Sequence, residues 1–197
     1  MAMPVQRTVK RCWTEGAFYS ARDSAPAGER WELVDGEVLV TPAPHWMHQR
    51  IILRLYDSIA SFVRTQAFGE LFLSPVDVKL EPGLVTQPDL LVVPNGELRS
   101  RSDFIRHLVL AAEVLSPTSA RFDRVKKRPA YQRNRVSEYW MIDEQSSTIE
   151  RWRPDDERPE IASGEFVWHP ANARAAFTLS LPEFFRGVLP EDENADQ

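Results

Sequence analysis

The sequence predicts a mixed α/β (α+β) fold, a β-sheet core flanked by helices with an N-terminal β-hairpin extension. Three observations predict it. Leu108–Leu115 is apolar on both faces apart from Glu113, the pattern of a strand covered on both sides. That run leads through a basic helical segment into a second apolar run, Glu138–Asp143, and a right-handed crossover would lay the two strands parallel. Trp31–Val40 carries Asp35-Gly36 between two strand-like arms, a two-residue hairpin signal.

In chain order, Thr14–Arg22 is a short helix with Thr14 as cap and Phe18 and Tyr19 turned inward. Pro26-Ala27-Gly28 is a loop before the hairpin, and Thr41–His45 is a Pro-punctuated loop after it. Trp46–Thr65 places Ile51, Ile52, Leu55, Tyr56, Ile59 and Val63 at helical spacing and is an amphipathic helix. Leu71–Leu80 is a strand interrupted by Pro75; after the Glu81-Pro82-Gly83 turn, Val85–Val93 is another. Pro94–Arg106 is polar loop with room for a helical turn. Ser116-Pro117-Thr118 ends the central strand, because Pro cannot donate to a ladder. Asp123 caps the helix that follows, which carries Arg124, Lys126, Lys127, Arg128, Arg133 and Arg135. Thr148–Arg153 and Glu165–His169 are strands around the loop Pro154–Gly164, Ala175–Leu181 is a last strand, and Leu181–Phe185 a short helix or turn.

A chain of 197 residues is long enough for a real core, and residues 1–190 are expected to form one domain followed by an acidic disordered tail, 191–197. The lone Cys12 excludes an internal disulfide and suits a reducing cytoplasm. No apolar stretch approaches the length of a membrane span, and no signal-peptide pattern opens the chain. The formal net charge is −5, but Glu191, Asp192, Glu193 and Asp196 account for most of it. The basic helix is therefore a local patch on a nearly neutral body, and patches govern phosphate contact more than totals do. Arg121, Arg124, Lys126 and Arg128 are its candidate nucleic-acid contacts.

Two carboxylates sit in apolar strands: Asp89, between Pro88 and Leu90-Leu91-Val92-Val93, and Glu113. A buried ionised carboxylate is costly unless a partner or metal compensates it. If the two strands are neighbours, both acids can converge on one divalent cation, and hard oxygen ligands suit Mg²⁺ or Mn²⁺. Zinc-type histidine spacing is absent: His45 and His48 are three apart, while His107 and His169 stand alone. Lys127 is the candidate cation for orienting or deprotonating a water, with a pKa that could fall near a metal and other cations. It lies four residues before Tyr131, so the two share a helix face. Glu32 and Glu37 read as exposed hairpin acids, one of which, Glu32, could serve as an outer ligand. His48 reads as a helix-start hydrogen-bonding residue, Ser116 as part of a strand-ending turn, and Trp140 and Trp168 as core anchors.

Pro88-Asp89, then Glu113-Val114-Leu115-Ser116-Pro117, Asp123-Arg124…Lys127…Tyr131 and Glu138-Tyr139-Trp140…Asp143 resemble the Uma family of restriction endonucleases, which is similar to the wider PD-(D/E)XK nuclease superfamily. Glu32-Leu33-Val34-Asp35-Gly36-Glu37 and Pro44…His48-Gln49-Arg50 match the family's opening, so the resemblance runs from Thr14 to Phe185. It implies a restriction-endonuclease-like mixed sheet, Asp89 and Glu113 as metal ligands, and Lys127 as the catalytic amine. In the superfamily's usual arrangement that lysine stands two residues after the Glu, a place held here by Leu115, so Lys127 would supply it from the helix. Pro129 predicts a kink in that helix. Arg135 stands where the family pattern has Gly, so the left-handed residue of the helix exit is expected at Asn134.

The leading expectation is a Mg²⁺-dependent endonuclease acting on DNA, with a homodimer as the natural form for cutting both strands. The competing one is a catalytically weak or inactive nuclease-fold module that binds nucleic acid or another protein.

Overall fold

The computed structural model describes residues 7–10, 12–100, 102–186 and 188. The expected tail from Glu191 lies outside the described residues. Strand β1 (Arg7–Lys10) precedes helix α1 (Glu15–Asp23), whose cap is Thr14: its Oγ1 accepts from the Ala17 amide at 3.3 Å. β2 (Arg30–Val34) and β3 (Glu37–Thr41) form the expected hairpin, and Asp35 and Gly36 both take positive φ (51° and 74°), as such a turn requires. α2 (Trp46–Gln66) is the long amphipathic helix.

The apolar runs on either side of the Glu81-Pro82-Gly83 turn do not stay single strands. Leu71–Leu80 divides into β4 (Gly69–Leu73) and β5 (Val78–Glu81), and Val85–Val93 into β6 (Leu84–Thr86) and β7 (Leu90–Pro94). Both breaks carry the chain between two sheets. One sheet has the order β1-β3-β2-β6-β5 and the other places β4 beside β7. Pro75 and Pro88 fall in the breaks, where the chain leaves its ladder.

After a short helix, α3 (Asn95–Leu98), β8 (Leu110–Val114) enters the larger sheet. β9 (Glu138–Asp143) pairs parallel with β8, β10 (Thr148–Trp152) antiparallel with β9, and β11 (Glu160–Ala162) closes that edge. The order β11-β10-β9-β8-β7-β4 is thus a mixed sheet. β11 falls within the stretch expected as loop, because an edge strand this short and polar carries no strand signature. β12 (Glu165–Trp168) and β13 (Phe177–Ser180) form a hairpin, and α6 (Leu181–Arg186) follows them.

α2 lays Ile51, Leu55, Ile59 and Val63 on one face of the larger sheet, against Leu90, Val92, Leu110, Ala112 and Trp140. The other face carries Leu91, Ala111, Tyr139 and Met141 and packs on Val78 and Tyr131. β7, β8 and β9 are buried on both sides, which is why they read as unbroken apolar runs. Glu113 alternates with Val114 and so points to the second face, toward the helical segment 120–133.

That segment has three parts: α4 (Ala120–Phe122), a wide π turn (Asp123–Lys127) and α5 (Arg128–Arg133). Asp123 lies inside it rather than capping it. The Arg128 amide donates to the Asp123 carbonyl, five residues back, and the Arg124 carbonyl accepts from Arg128 Nε at 3.3 Å. Pro129, which has no amide to give, sits in the first turn of α5, where none is needed. The wide turn takes the place of the expected kink. At the exit Asn134 has φ −89°, and the left-handed residue is Arg135 itself, φ 57°. A non-glycine residue there is strained, so Arg135→Gly is expected to raise stability by about 1 kcal/mol in urea unfolding.

Candidate active site

Three chain segments place four charged side chains in one buried cluster: Glu32 from β2, Glu113 from β8, and Asp123 and Lys127 from the wide turn. Lys127 Nζ lies 2.8 Å from Glu32 Oε2, donates to Glu113 Oε1 at 2.8 Å and lies 3.2 Å from Asp123 Oδ1. Lys127 is fully buried, at 0% exposure. Glu32 also accepts from the Gln87 amide at 2.8 Å. Its burial follows from the hairpin register. It stands opposite Leu39 and shares a face with Val34, and both of those pack on Phe122 and Ala130 of the helical segment.

Asp89 adjoins the cluster. It is the residue before β7, and extending the register Leu90↔Ala112 by one pair sets it across from Glu113. Its Oδ1 accepts from Arg30 Nη1 at 2.5 Å; its Oδ2 accepts from the Val114 amide at 2.9 Å and lies 3.0 Å from His48 Nε2. Arg30 Nη2, 4.0 Å from Glu32 Oε2, links the two groups.

The electrostatics separate Asp89 from Glu113 and Asp123. Burial alone would raise Asp89, but the His48 hydrogen bond, the Arg30 charge and the Val114 amide outweigh it and hold Asp89 well below the usual carboxylate range. Glu113 moves the other way, raised by burial and by the neighbouring Asp89 and Glu32 charges against the pull of Lys127. Asp123 is raised by burial, with Lys127 opposing. For Lys127 burial disfavours the charge, yet Glu113, Glu32 and Asp123 together push its pKa well above the ordinary lysine value. The shift is upward because the nearest charges are acids rather than cations.

In this cluster the four buried carboxylates Glu32, Asp89, Glu113 and Asp123 face two permanent cations, Lys127 and Arg30. If all four are ionised, four negative charges face two positive ones, and a divalent cation would balance the difference. No group of three or more His, Cys, Asp or Glu side chains among the described residues is arranged to hold a metal. Asp89 and Glu113 could supply two hard oxygen ligands from adjacent strands and leave the other positions to water and substrate, as suits Mg²⁺.

A family model described as "Putative restriction endonuclease", Uma2, matches residues 17–186. The chain belongs to the Uma2 family. No curated protein matches it. A solved structure from Anabaena variabilis, described as "a putative nuclease belonging to DUF820", has a TM-score of 0.75 and 21% identity, covering 90% of this chain and 99% of its own. That likeness shows a shared fold. The type IIG restriction endonuclease BpuSI matches at TM-score 0.37 and 13% identity, over 74% of this chain and 16% of its own, too slight a likeness to bear on the fold.

In this Uma2-family chain Lys127 meets both Glu113 and Glu32 directly, and Asp89 stands across the strand pair. Leu115 lies beyond the end of β8, and Lys127 reaches Glu113 from the helical segment instead. Tyr131 is buried against Tyr139, ring centroids 4.8 Å apart; burial and then Glu113 raise its pKa well above the usual phenol value, so it remains a protonated packing residue. The basic patch is largely engaged within the chain. Arg124 pairs with Glu150 at 2.9 Å, Lys126 with Glu37 at 2.8 Å, and Arg128 bonds Gln132 and lies over the Trp152 ring at 4.6 Å, while Arg121 is exposed.

Sequence reasoning placed Glu32 on the surface, made Asp123 a cap and overlooked Arg30. Each left a trace. Glu32 alternates in phase with Val34, Asp123 is four residues from Lys127, and Arg30 is two from Glu32 on the same strand face. His48 does sit at a helix start, but its partner is Asp89, a long-range contact with no local signal. Among the described residues no helix is long and apolar enough to cross a membrane.

Proposed function

We propose that the chain is a metal-dependent endonuclease that hydrolyses phosphodiester bonds of DNA. The contact of Lys127 with Glu113, one strand away from Asp89, in a chain of this family, carries the reading. Asp89 and Glu113 would hold Mg²⁺ or Mn²⁺, which when bound supplies Lewis-acid polarisation of the phosphoryl oxygens and acidifies water. Lys127, kept as an ammonium by its three acids, orients water and stabilises negative charge on the phosphoryl oxygens rather than acting as a base. Glu32 and Asp123 position that ammonium; His48 and the Val114 amide position Asp89. Arg121, Arg124, Lys126 and Arg128 serve the DNA backbone. The ion pairs that Arg124 and Lys126 now make are only partly buried and weak, so phosphates can replace them. Cutting both strands of a duplex calls for two copies of the chain.

The test is plasmid cleavage. Nicking with Mg²⁺ or Mn²⁺ that stops in EDTA supports the reading, and no cleavage under any divalent ion removes it. A second reading, a nuclease-fold module that binds without turnover, is favoured by the burial of Lys127 and Glu113 at 0% and 1% exposure. It expects DNA binding that persists in EDTA with no cutting.

A further inference from the structure

We propose that Arg30 is a positioning residue that changes partners: it holds Asp89 until a divalent cation binds there, then turns to a phosphodiester oxygen of the substrate. This rests on the nuclease reading of the same site. The guanidinium occupies an oxygen of Asp89 that a bound ion would share or take. Arg30 Nη1 donates to Asp89 Oδ1 at 2.5 Å and to the Gln87 carbonyl at 3.3 Å, Nε donates to Thr41 Oγ1 at 3.3 Å, and Nη2 stands 4.0 Å from Glu32 Oε2. Its Cα is fixed opposite Thr41 by the hairpin register, so only the side chain has to move.

Two further observations point the same way. The Arg30 side chain is 22% exposed and His48 17%, against 4% for Asp89 and 0% for Lys127, so a phosphate reaching the cluster from solvent meets Arg30 and His48 first. Arginine also presents a planar fork that fits a carboxylate and a phosphate equally well, and it keeps its charge through the exchange. An ion bound to Asp89 puts two positive charges beside the guanidinium and weakens the existing pair. A substrate phosphate offers that guanidinium a new anion at the mouth of the site. No covalent bond changes in the exchange.

Two titrations test the proposal on the full chain. Mn²⁺ binding without DNA is followed by calorimetry for the parent, Arg30→Gln and Arg30→Lys. Binding of a short DNA duplex is followed by fluorescence anisotropy in Ca²⁺. Arg30→Gln is expected to bind Mn²⁺ about tenfold more tightly and DNA about tenfold more weakly, since it loses the competing charge and the phosphate contact together. Arg30→Lys, which keeps a cation and preserves the fold if the Gln variant does not, is expected to match the parent toward Mn²⁺ and to lose DNA affinity. Mn²⁺ affinity in Arg30→Gln equal to or weaker than the parent's overturns the exchange while leaving the nuclease reading intact. Absence of Mn²⁺ binding in the parent and both variants overturns the exchange and the nuclease reading together.

Discussion

Glu113→Gln and Asp89→Asn are each expected to lower Mg²⁺-dependent plasmid cleavage by about 10³-fold, about 4 kcal/mol of barrier, while leaving the fold in place. The amides are chosen because they keep shape and hydrogen bonds. A Gln oxygen at position 113 can still accept from Lys127 Nζ, which donates to Glu113 Oε1 at 2.8 Å, and an Asn oxygen at position 89 can still accept from the Val114 amide. What each loses is the negative charge that would hold a divalent ion. The measurement is cleavage rate against Mg²⁺ concentration, with a melting temperature for each protein. Parent-like cutting by both variants would point to a contaminating nuclease.

Lys127→Met is expected to destabilise the protein by about 3–5 kcal/mol at pH 8, the usual consequence of removing one partner from a buried charge cluster. Glu32, Glu113 and Asp123 would then face one another without the ammonium. The pH dependence has a definite sign. Glu113 and Asp123 already titrate above their ordinary values in the parent, through burial and neighbouring acids, and removing Lys127 raises them further. A carboxyl raised in the folded state contributes stability that is present below its unfolded pKa, about 4, and lost as pH rises through the folded value. The deficit of the variant should therefore be smaller at pH 5 than at pH 8. In the parent the raised Lys127 acts as the other half: its contribution is present below the ordinary lysine pKa and lost only as pH climbs through the higher folded value. Urea unfolding of both proteins at the two pH values decides it. A deficit under about 1 kcal/mol, or one independent of pH, would mean that the lysine is not the counter-ion of this cluster.

The parts of this centre differ in how plainly they could be read from residue order. Glu113 was legible because a strand apolar on both faces has no cheap place for a carboxylate. The burial of Lys127 was not legible from its place in a basic helix, which by itself reads as a solvated face. The division of Leu71–Leu80 and Val85–Val93 between two sheets was not, since apolar alternation is the same whichever sheet a strand joins. Only the prolines marked the breaks. Glu32 illustrates a different loss. Its burial depends on Phe122 and Ala130 covering Val34 and Leu39 of the hairpin, a contact between segments far apart in sequence. The wide turn at Asp123–Lys127 likewise has no local signature beyond Pro129. It is nonetheless the segment that carries Lys127 to Glu113, with Asp123 beside the ammonium.

The claim on which the centre stands is that Asp89 and Glu113 share one divalent cation. It is tested most directly by anomalous diffraction from crystals soaked in Mn²⁺. The account predicts a peak within about 2.0–2.3 Å of a carboxylate oxygen of each residue. A strong Mn²⁺ peak elsewhere, with the Arg30–Asp89 and Lys127–Glu113 pairs undisturbed, would contradict it.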